Sequence, residues 1–323
     1  MGEQDPHIPD LKTLVVGCTP LARKVINCLK EISDIVGIIG LNEAAGRKKS
    51  NYDSLGDFEN NFDMLWTGDI NKEGEWIRDK SPDIIIQCGW SQIFKPKILK
   101  IPKKYCLGIH PSPLPKGRGA AIINWKIIES KGQSVHWGNS LFVMESKTYT
   151  GAVLDFEPFV IETRDDIKTA YNKVDHTALK MIRRTFPKIA TGTEGLRQQD
   201  DSRSTRYYKR TPKDGKMDLS WSAVKIRDYV RALTFPYPGA FIETKLGKIT
   251  LWKVSIDYMR HGMNLKPPDS GMIHMIVRGR GVLVRVGDVL SIWIERVSHN
   301  GIEQWADEWA RELGLKIGES LIE

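Results

Sequence analysis

Several features that assign a protein to a class are scarce or missing in this sequence. Its 323 residues include only four cysteines, which are widely spaced, so neither a zinc site nor a disulfide framework is expected. No window of about 18 residues is apolar and uncharged enough to span a membrane. The polar segment 1–10 lacks the apolar core of a secretory signal, and we therefore expect a cytoplasmic protein.

A dinucleotide-binding fingerprint is also missing. The first turn between a predicted strand and a predicted helix, Gly17–Ala22, has one glycine where the pattern GxGxxG has three. Binding of NAD or FAD is therefore not expected. Pro20 is explained as an early residue of the helix, where its missing N–H costs nothing.

What the sequence does have is a small excess of positive charge. It contains 48 Lys and Arg against 40 Asp and Glu, which gives a formal net charge of +8. An excess of this size suits anionic small molecules such as a nucleotide or a folate. The basic residues are scattered, with the densest run at Arg203–Arg210, so a nucleic-acid partner is not expected from charge alone.

In the first part of the chain, short apolar runs alternate with segments of helical periodicity. This alternation predicts an α/β domain with a parallel sheet and helices on both faces. Ligands of such sheets bind beyond the carboxyl ends of the strands. The predicted strands are 11–17, 35–41, 83–88, 106–110, 140–144 and 153–161, and the predicted helices are 21–32, 72–80, 94–99, 122–129 and 165–186.

The last part of the chain has a different pattern. A helix at 225–233 leads into a proline-rich segment at 235–241, after which short apolar runs are separated by glycine turns. This pattern predicts a small antiparallel barrel or sandwich. We therefore predict a first domain over 1–205, a joint over 206–235 and a β-rich domain over 236–323. The predicted elements of that last domain are strands 240–244, 249–254, 271–277, 282–286 and 289–294 and a final helix 305–313.

One segment stands out as a carrier of chemistry. The fourth predicted strand ends at His110, and the loop that follows, up to Gly119, contains three prolines and two glycines. So rigid a loop can hold a polar side chain at the mouth of a parallel sheet, where ligands bind. This favours a functional role for His110 over that of a core histidine.

The segment HPSPLPKGRGAAIINW resembles the signature of the folate-dependent formyltransferases, which is roughly His-Pro-Ser-Leu-Leu-Pro followed by Arg-Gly. Segments 89–93 (GWSQI), 148–151 (TYTG) and 231–241 (RALTFPYPGAF) resemble the same family in the same order. The resemblance implies a Rossmann-like formyltransferase domain followed by an OB-like β-rich domain. It also implies N10-formyltetrahydrofolate as the formyl donor and no metal.

The family uses an Asn two residues before the His, the His itself and an Asp in a later turn. These groups stabilise the oxyanion and move a proton between the two amines. By resemblance only one of the three is kept here, as His110. The Asn position is Gly108, which has no side-chain donor, and the Asp position is Tyr149, whose phenol (pKa about 10) is neutral at pH 7.

The resemblance also implies binding roles for further residues. Those expected to line the folate pocket are Cys88, Gly89, Trp90 and Ile93, and those expected to bind the acceptor are Ser112, Arg118, Asn124 and Trp125. Candidates for the missing catalytic roles are Tyr149, Asn124, His136 and Asn139.

Three functions remain open at this stage. The first, which we rank highest, is an enzyme that transfers a formyl group to the amine of a nucleotide-linked amino sugar, with methionyl-tRNA as the alternative acceptor. The second is an inactive homologue that binds a folate or a nucleotide sugar. The third is a different one-carbon or acyl transfer that uses His110. Similarity to the sugar enzymes also implies a homodimer.

Overall fold

We describe the protein from a computed structural model, in which residues 8–258 and 270–322 are described. The backbone divides into two compact units. The first comprises the residues up to 122 together with 136–160 and 171–208. The second comprises 123–135, 161–170 and the residues from 209 onward. The domain limits expected from the sequence, 205 and 235, remain predictions.

The first unit contains a mixed, mostly parallel sheet. Its strands are β1 (Ile8–Gly17), β2 (Ser33–Leu41), β3 (Met64–Thr67), β4 (Ile84–Cys88), β5 (Tyr105–His110), β7 (Val135–Val143) and β8 (Val153–Ile161), and β6 (Arg118–Gly119) and β9 (Arg206–Tyr207) form a separate small pair. The order in the sheet is β3-β2-β1-β4-β5-β7-β8. The first five strands in this order are parallel, which confirms the predicted sheet, whereas β7 runs antiparallel to β5.

Helices cover both faces of this sheet, as the continuous apolar runs predict. The helices of the first unit are α1 (Pro20–Ile32), α2 (Glu43–Gly46), α3 (Gly74–Asp79), α4 (Pro96–Leu99) and most of α6 (Ile167–Thr191), whereas α5 (Ile122–Ile128) lies in the second unit apart from its first residue. Along β1, Val15 packs into a core cluster that includes residues of α1 and α6. Its neighbours Leu14 and Val16 belong to a second cluster with residues of α3 and α4. Successive residues of β1 thus face opposite sides, and both sides are buried.

The main differences from the sequence prediction lie in short or edge elements. The strand β3 was not predicted because it has only four residues, of which three are half-buried. The segment 42–61, for which neither a helix nor a strand was predicted, contains the short helix α2. The strand β7 begins at Val135, five residues earlier than predicted. Short elements carry too few residues for a periodicity to be recognised.

The second unit contains an antiparallel sheet, as predicted. Its strands are β10 (Ala240–Thr244), β11 (Gly247–Asp257), β12 (Ile273–Val277), β13 (Gly281–Arg285), β14 (Ser291–His299) and β15 (Ile302–Trp305), and its helices include α7 (Ala223–Leu233) and α8 (Ala306–Glu312). The order is β10-β11-β14-β13-β12, and β15 pairs with β14. The strand β15 was not predicted.

Among the helices within residues 8–258 and 270–322, none combines the length and apolarity needed to cross a membrane.

Candidate functional site

The histidine at the end of β5 is buried and neutral. His110 is only 5% exposed, and its Nε2 lies 2.8 Å from the carbonyl oxygen of Gly117. Because a carbonyl oxygen only accepts hydrogen bonds, Nε2 carries the ring proton and donates it, and Nδ1 keeps the lone pair. Burial lowers the pKa of His110 to about 4, and the bond to Gly117 offsets only part of this effect. The imidazole is therefore uncharged at pH 7.

The proline-rich loop folds back so that Gly117 reaches this histidine. Gly117 has φ +73, and a Cβ on it would lie 2.9 Å from the ring of Trp137, so only glycine fits without displacement. Two hydrogen bonds hold the start of the loop at adjacent residues. Trp137 Nε1 donates to the Pro111 carbonyl (2.8 Å), and Ser140 Oγ donates to the Ser112 carbonyl (2.6 Å). These bonds come from β7, the strand that pairs with β5.

The space beside Gly108, the residue at which the resemblance predicts the family's Asn, is filled by an aromatic ring. Gly108 lies directly opposite Phe142 in the β5–β7 pair, and directly opposite residues of an antiparallel pair point to the same face. A Cβ on Gly108 would lie 2.7 Å from Cε1 of Phe142 and 3.2 Å from Cγ of Met144. An Asn side chain therefore has no room at position 108 while Phe142 keeps its place.

Tyr149, the residue at which the resemblance predicts the family's Asp, brings a second ring to His110. The ring centroids of Tyr149 and His110 are 4.5 Å apart. Tyr149 also stacks with Phe142, with ring centroids 6.2 Å apart and an angle of 27° between the ring planes. Tyr149 and Met144 pack against a small buried cluster of Leu114, Phe142 and Val153. Burial raises the pKa of Tyr149, against a lowering by the charge of Arg206, so the phenol stays protonated. On the side of Tyr149 and Phe142, the groups next to His110 are thus aromatic and uncharged.

Such surroundings do not suit an oxyanion. The one donor that the sequence retains, His110 Nε2–H, is already bonded to Gly117, and position 108 offers no side-chain donor. Loss of a single oxyanion donor costs about 2.7–4 kcal/mol of transition-state stabilisation. Of the three groups that the resemblance predicts for conventional formyl transfer, only the imidazole of His110 is present at these positions.

Of the candidates for replacing these groups, Tyr149 lies beside His110, and its protonated phenol can donate a hydrogen bond. Asn139 and His136 do not lie beside this histidine. Asn139 is next to Ser140, the residue opposite His110, so it points to the other face of the sheet. There its Nδ2 donates to the carbonyl oxygen of Val174 in α6 (3.0 Å). His136 is exposed and lies four residues before Ser140, about 13 Å along the strand.

Asn124 and Trp125 belong to the second unit. The amide of Asn124 donates to the carbonyl oxygen of Ala232 (2.8 Å), whereas its buried Oδ1 has no partner among the described residues. The guanidinium of Arg210 lies over the ring of Trp125 (4.6 Å) and that of Tyr229 (5.2 Å). Within their own unit both residues thus make structural contacts, and their predicted roles toward an acceptor remain predictions.

Arg118 and Ser112 are buried in the first unit. Arg118, 6% exposed, donates through Nη2 to Asp201 (2.6 Å) and Gln199 (2.8 Å). Ser112 is fully buried, and its Oγ has no partner among the described residues. The structure therefore gives Arg118 an internal ion pair. The predicted binding roles of both residues remain predictions.

The predicted folate segment follows β4 at the carboxyl end of the parallel strands. Cys88 is buried, and burial raises its thiol pKa, so the thiol is not ionised. Gly89 has φ +71 and packs against Thr19, since a Cβ there would lie 2.3 Å from Thr19 Oγ1. Trp90 is 6% exposed and Ile93 61% exposed.

Two buried polar atoms at this edge lack partners among the described residues. They are the Nε1 of Trp90 and the Oγ1 of Thr19, whose residues are 6% and 7% exposed. Buried polar groups in native proteins nearly always have a hydrogen-bond partner, so these two atoms are candidates for contact with a ligand. Thr19 was not singled out from the sequence, because only the pairing of β1 with β4 brings it to Gly89.

Two family models match this chain. Residues 44–186 match the family model "Formyl transferase", and residues 209–313 match "Formyl transferase, C-terminal domain". Together the two ranges cover about three quarters of the sequence. The chain is also 34% identical over 184 residues to the bifunctional polymyxin resistance protein ArnA of Wigglesworthia glossinidia brevipalpis. That match covers 57% of this chain and 28% of ArnA.

Solved structures show the same fold. HypX from Aquifex aeolicus in complex with tetrahydrofolic acid superposes with a TM-score of 0.67 at 16% identity, covering 94% of this chain and 48% of HypX. An N-formyltransferase from Helicobacter canadensis, in complex with folinic acid and dTDP-3-aminofucose, superposes with a TM-score of 0.65 at 17% identity. That alignment covers 88% of this chain and 98% of the other. This chain thus spans about half the length of HypX and less than a third of ArnA.

Proposed function

Because this chain belongs to the formyl transferase family, we propose that it is a folate-binding member that does not catalyse conventional formyl transfer at His110. The observation that carries the proposal is the ring of Phe142 in the space beside Gly108, 2.7 Å from where a Cβ would be. Tyr149 at the predicted Asp position supports the same conclusion, because it places an aromatic ring where the resemblance predicts a carboxylate. The second interpretation of the sequence, an inactive homologue, is therefore favoured over the first.

Ligand binding is supported by a different part of the site. The unpaired Trp90 Nε1 and Thr19 Oγ1 lie at the carboxyl ends of parallel strands, where ligands of such sheets bind. These two groups fit a ligand that carries both acceptors and donors, as a pterin does. N10-formyltetrahydrofolate would supply a formyl carbon when bound, but the groups around His110 do not fit its transfer.

The second ligand that we propose is a nucleotide-linked amino sugar. The Helicobacter canadensis protein of the same fold was solved with dTDP-3-aminofucose. The scattered basic residues of this chain favour a small anionic ligand over methionyl-tRNA. Salt separates the two, because tRNA binding weakens steeply with salt concentration and small-ligand binding weakens little.

Calorimetry with 5-formyltetrahydrofolate, a stable stand-in for the formyl donor, tests binding. We expect saturable binding in the micromolar range and no binding in a Trp90→Ala variant. Absence of binding to the wild-type protein at high micromolar ligand contradicts the proposal.

Mass spectrometry tests for chemistry. The wild-type protein is incubated with N10-formyltetrahydrofolate and dTDP-linked amino sugars, and the sugars are searched for the mass gain of one formyl group. We expect no enzyme-dependent product. A product that forms with the wild-type protein and disappears in His110→Ala would show an active enzyme instead.

A further inference from the structure

Residues 197–207, which we call the strap, bond to three separate parts of the first unit. At one end Arg197 pairs with Val153 of β8 through two backbone bonds of 2.9 Å. At the other end Thr205 accepts from the backbone N–H groups of Gly117 (at Oγ1, 2.8 Å) and Arg118 (at its carbonyl, 2.9 Å). Between the two ends, Gln199 bonds to the turn that carries Tyr149. The strap thus joins the edge of the sheet, the Tyr149 turn and the proline-rich loop.

The Tyr149 turn depends on this attachment. Tyr149 has φ +67, a left-handed conformation that a bulky residue adopts only when its surroundings enforce it. Gln199 Nε2 donates to the carbonyl oxygens of Tyr149 (2.9 Å) and Gly151 (2.7 Å), one on each side of the turn. One side-chain amide thus holds both ends of the strained segment.

The amide of Gln199 is itself held in place. Its Oε1 accepts from Nη2 of Arg118, which also bonds to Asp201 (2.6 Å). The second carboxylate oxygen of Asp201 accepts from Lys147 Nζ (3.0 Å), just before the turn. The strap, the loop and the turn are therefore linked by a closed set of polar contacts around Arg118.

The residue that this set holds in place lies over the histidine. The ring of Tyr149 is 4.5 Å from that of His110, and His110 is only 5% exposed. The Nδ1 lone pair is the one polar feature of the imidazole that Gly117 does not use. No ligand can approach His110 from the Tyr149 side while the turn stays in place.

We propose that Tyr149 is a gate over His110 and that Gln199 is the positioning residue that keeps the gate closed. Opening requires that the turn 148–151 leave the Gln199 amide and that the Tyr149 ring leave its contacts with Phe142, while the contacts between Arg118 and Asp201 hold the rest of the strap. The gate goes beyond the folate binding proposed above and does not depend on which ligand the protein takes.

Acylation by diethyl pyrocarbonate tests the gate without a ligand. The lone pair of a neutral imidazole attacks a carbonyl carbon of the reagent and takes up its ethoxycarbonyl group, while ethyl carbonate leaves and decomposes to carbon dioxide and ethanol. Peptide mass spectrometry gives a separate rate for each histidine. In Gln199→Leu we expect the rate at His110 to rise about tenfold, as for the loss of about 1.4 kcal/mol of hydrogen bonding. The matched control is Gln198→Leu, which changes an exposed neighbour and should leave the rate as in the wild-type protein.

Two reference histidines separate gate opening from unfolding. His176 is exposed and reports the activity of the reagent, and half-buried His299 in the second unit reports global opening. A rise at His110 alone supports the gate. An equal rise at His299 would mean that Gln199 only stabilises the fold, and this would overturn the proposal.

A second variant keeps the test decisive if Gln199→Leu folds poorly. Tyr149→Ala removes the gate itself, so we expect the same rise at His110 and no further rise in the double variant. An unchanged rate at His110 in Tyr149→Ala would show that the ring does not control access, and the proposal would be wrong.

Discussion

Phe142 lies directly opposite Gly108 in the β5–β7 pair, and its ring occupies the space that a side chain on residue 108 would need. The two residues are 34 positions apart in the sequence, and only the antiparallel register brings them together. The glycine and the phenylalanine therefore form one structural unit. Replacing one without the other should be costly, and several predictions depend on this relationship.

Gly108→Ala should lower the free energy of unfolding by about 1–3 kcal/mol, the usual cost of overpacking a filled core. Gly195→Ala is the matched control, because nothing lies within 4 Å of a Cβ at that position. Urea unfolding measures both. In the background of Phe142→Leu the cost of Gly108→Ala should shrink, and full additivity of the two changes would contradict the packing that we describe.

Restoring the family residues should not give formyl transfer unless Phe142 is also replaced by a smaller residue. The double variant Gly108→Asn with Tyr149→Asp supplies the missing groups but leaves the ring in place, so we expect no formyl transfer. Adding Phe142→Ala makes room for the amide and should give measurable turnover by mass spectrometry of the sugar product. Turnover in the double variant would show that Phe142 moves aside easily.

His110 should make stability depend on pH. Its folded-state pKa of about 4 lies below the ordinary value of 6.5, so between these values only the unfolded chain binds the proton. The stabilisation is complete above pH 6.5 and is lost as the pH falls toward 4. A shift of this size corresponds to about 3 kcal/mol.

The variant His110→Gln is the control for this pH effect. It keeps an N–H for the Gly117 carbonyl but does not titrate. Between pH 6.5 and 4, the free energy of unfolding measured in urea should therefore fall by about 3 kcal/mol less in His110→Gln than in the wild-type protein. An identical pH profile for the two proteins would mean that His110 is protonated in the folded state.

The ion pair of Arg118 should matter more than an exposed one. Arg118→Ala removes a buried guanidinium from its contacts with Gln199 and with the exposed carboxylate of Asp201, and we expect a loss of about 1–3 kcal/mol in the free energy of unfolding. Arg164→Ala, whose side chain is 84% exposed and pairs with Glu162, should change it by less than about 0.5 kcal/mol. Equal losses would argue against a structural role for the strap.

Thr19→Val separates a ligand-binding hydroxyl from a structural one. Because Thr19 Oγ1 has no described partner and does not cap α1, its removal should leave the free energy of unfolding unchanged or raise it by about 1 kcal/mol. Affinity for 5-formyltetrahydrofolate, measured by calorimetry, should fall about tenfold, as for one lost hydrogen bond.

Thr67→Val is the matched control for this change. Thr67 is also 7% exposed, but its hydroxyl donates to Glu73 (2.6 Å) and accepts from the Asp69 N–H (3.0 Å). Its loss should lower stability by about 1–3 kcal/mol and leave affinity unchanged. A Thr19→Val protein that binds the folate normally would place the ligand elsewhere.

Much of the fold could be predicted because the signals are local. The strands β1, β4 and β5 each contain a short apolar run, and α1 shows helical periodicity with a proline at its start. By contrast, β3 and β15 have four residues each and carry no usable period. The reversal of β7 relative to β5 also has no local signal, since an apolar run does not encode the direction of its neighbour.

The sequence by itself determined the family signature, the two types of sheet and the identity of the residues at positions 108, 110 and 149. Only the tertiary structure decided what those residues can do. Burial and the Gly117 carbonyl set the charge and tautomer of His110, and the β5–β7 register puts Phe142 beside Gly108. Desolvation and strand register arise from contacts between distant segments, and the order of residues along the chain does not display them.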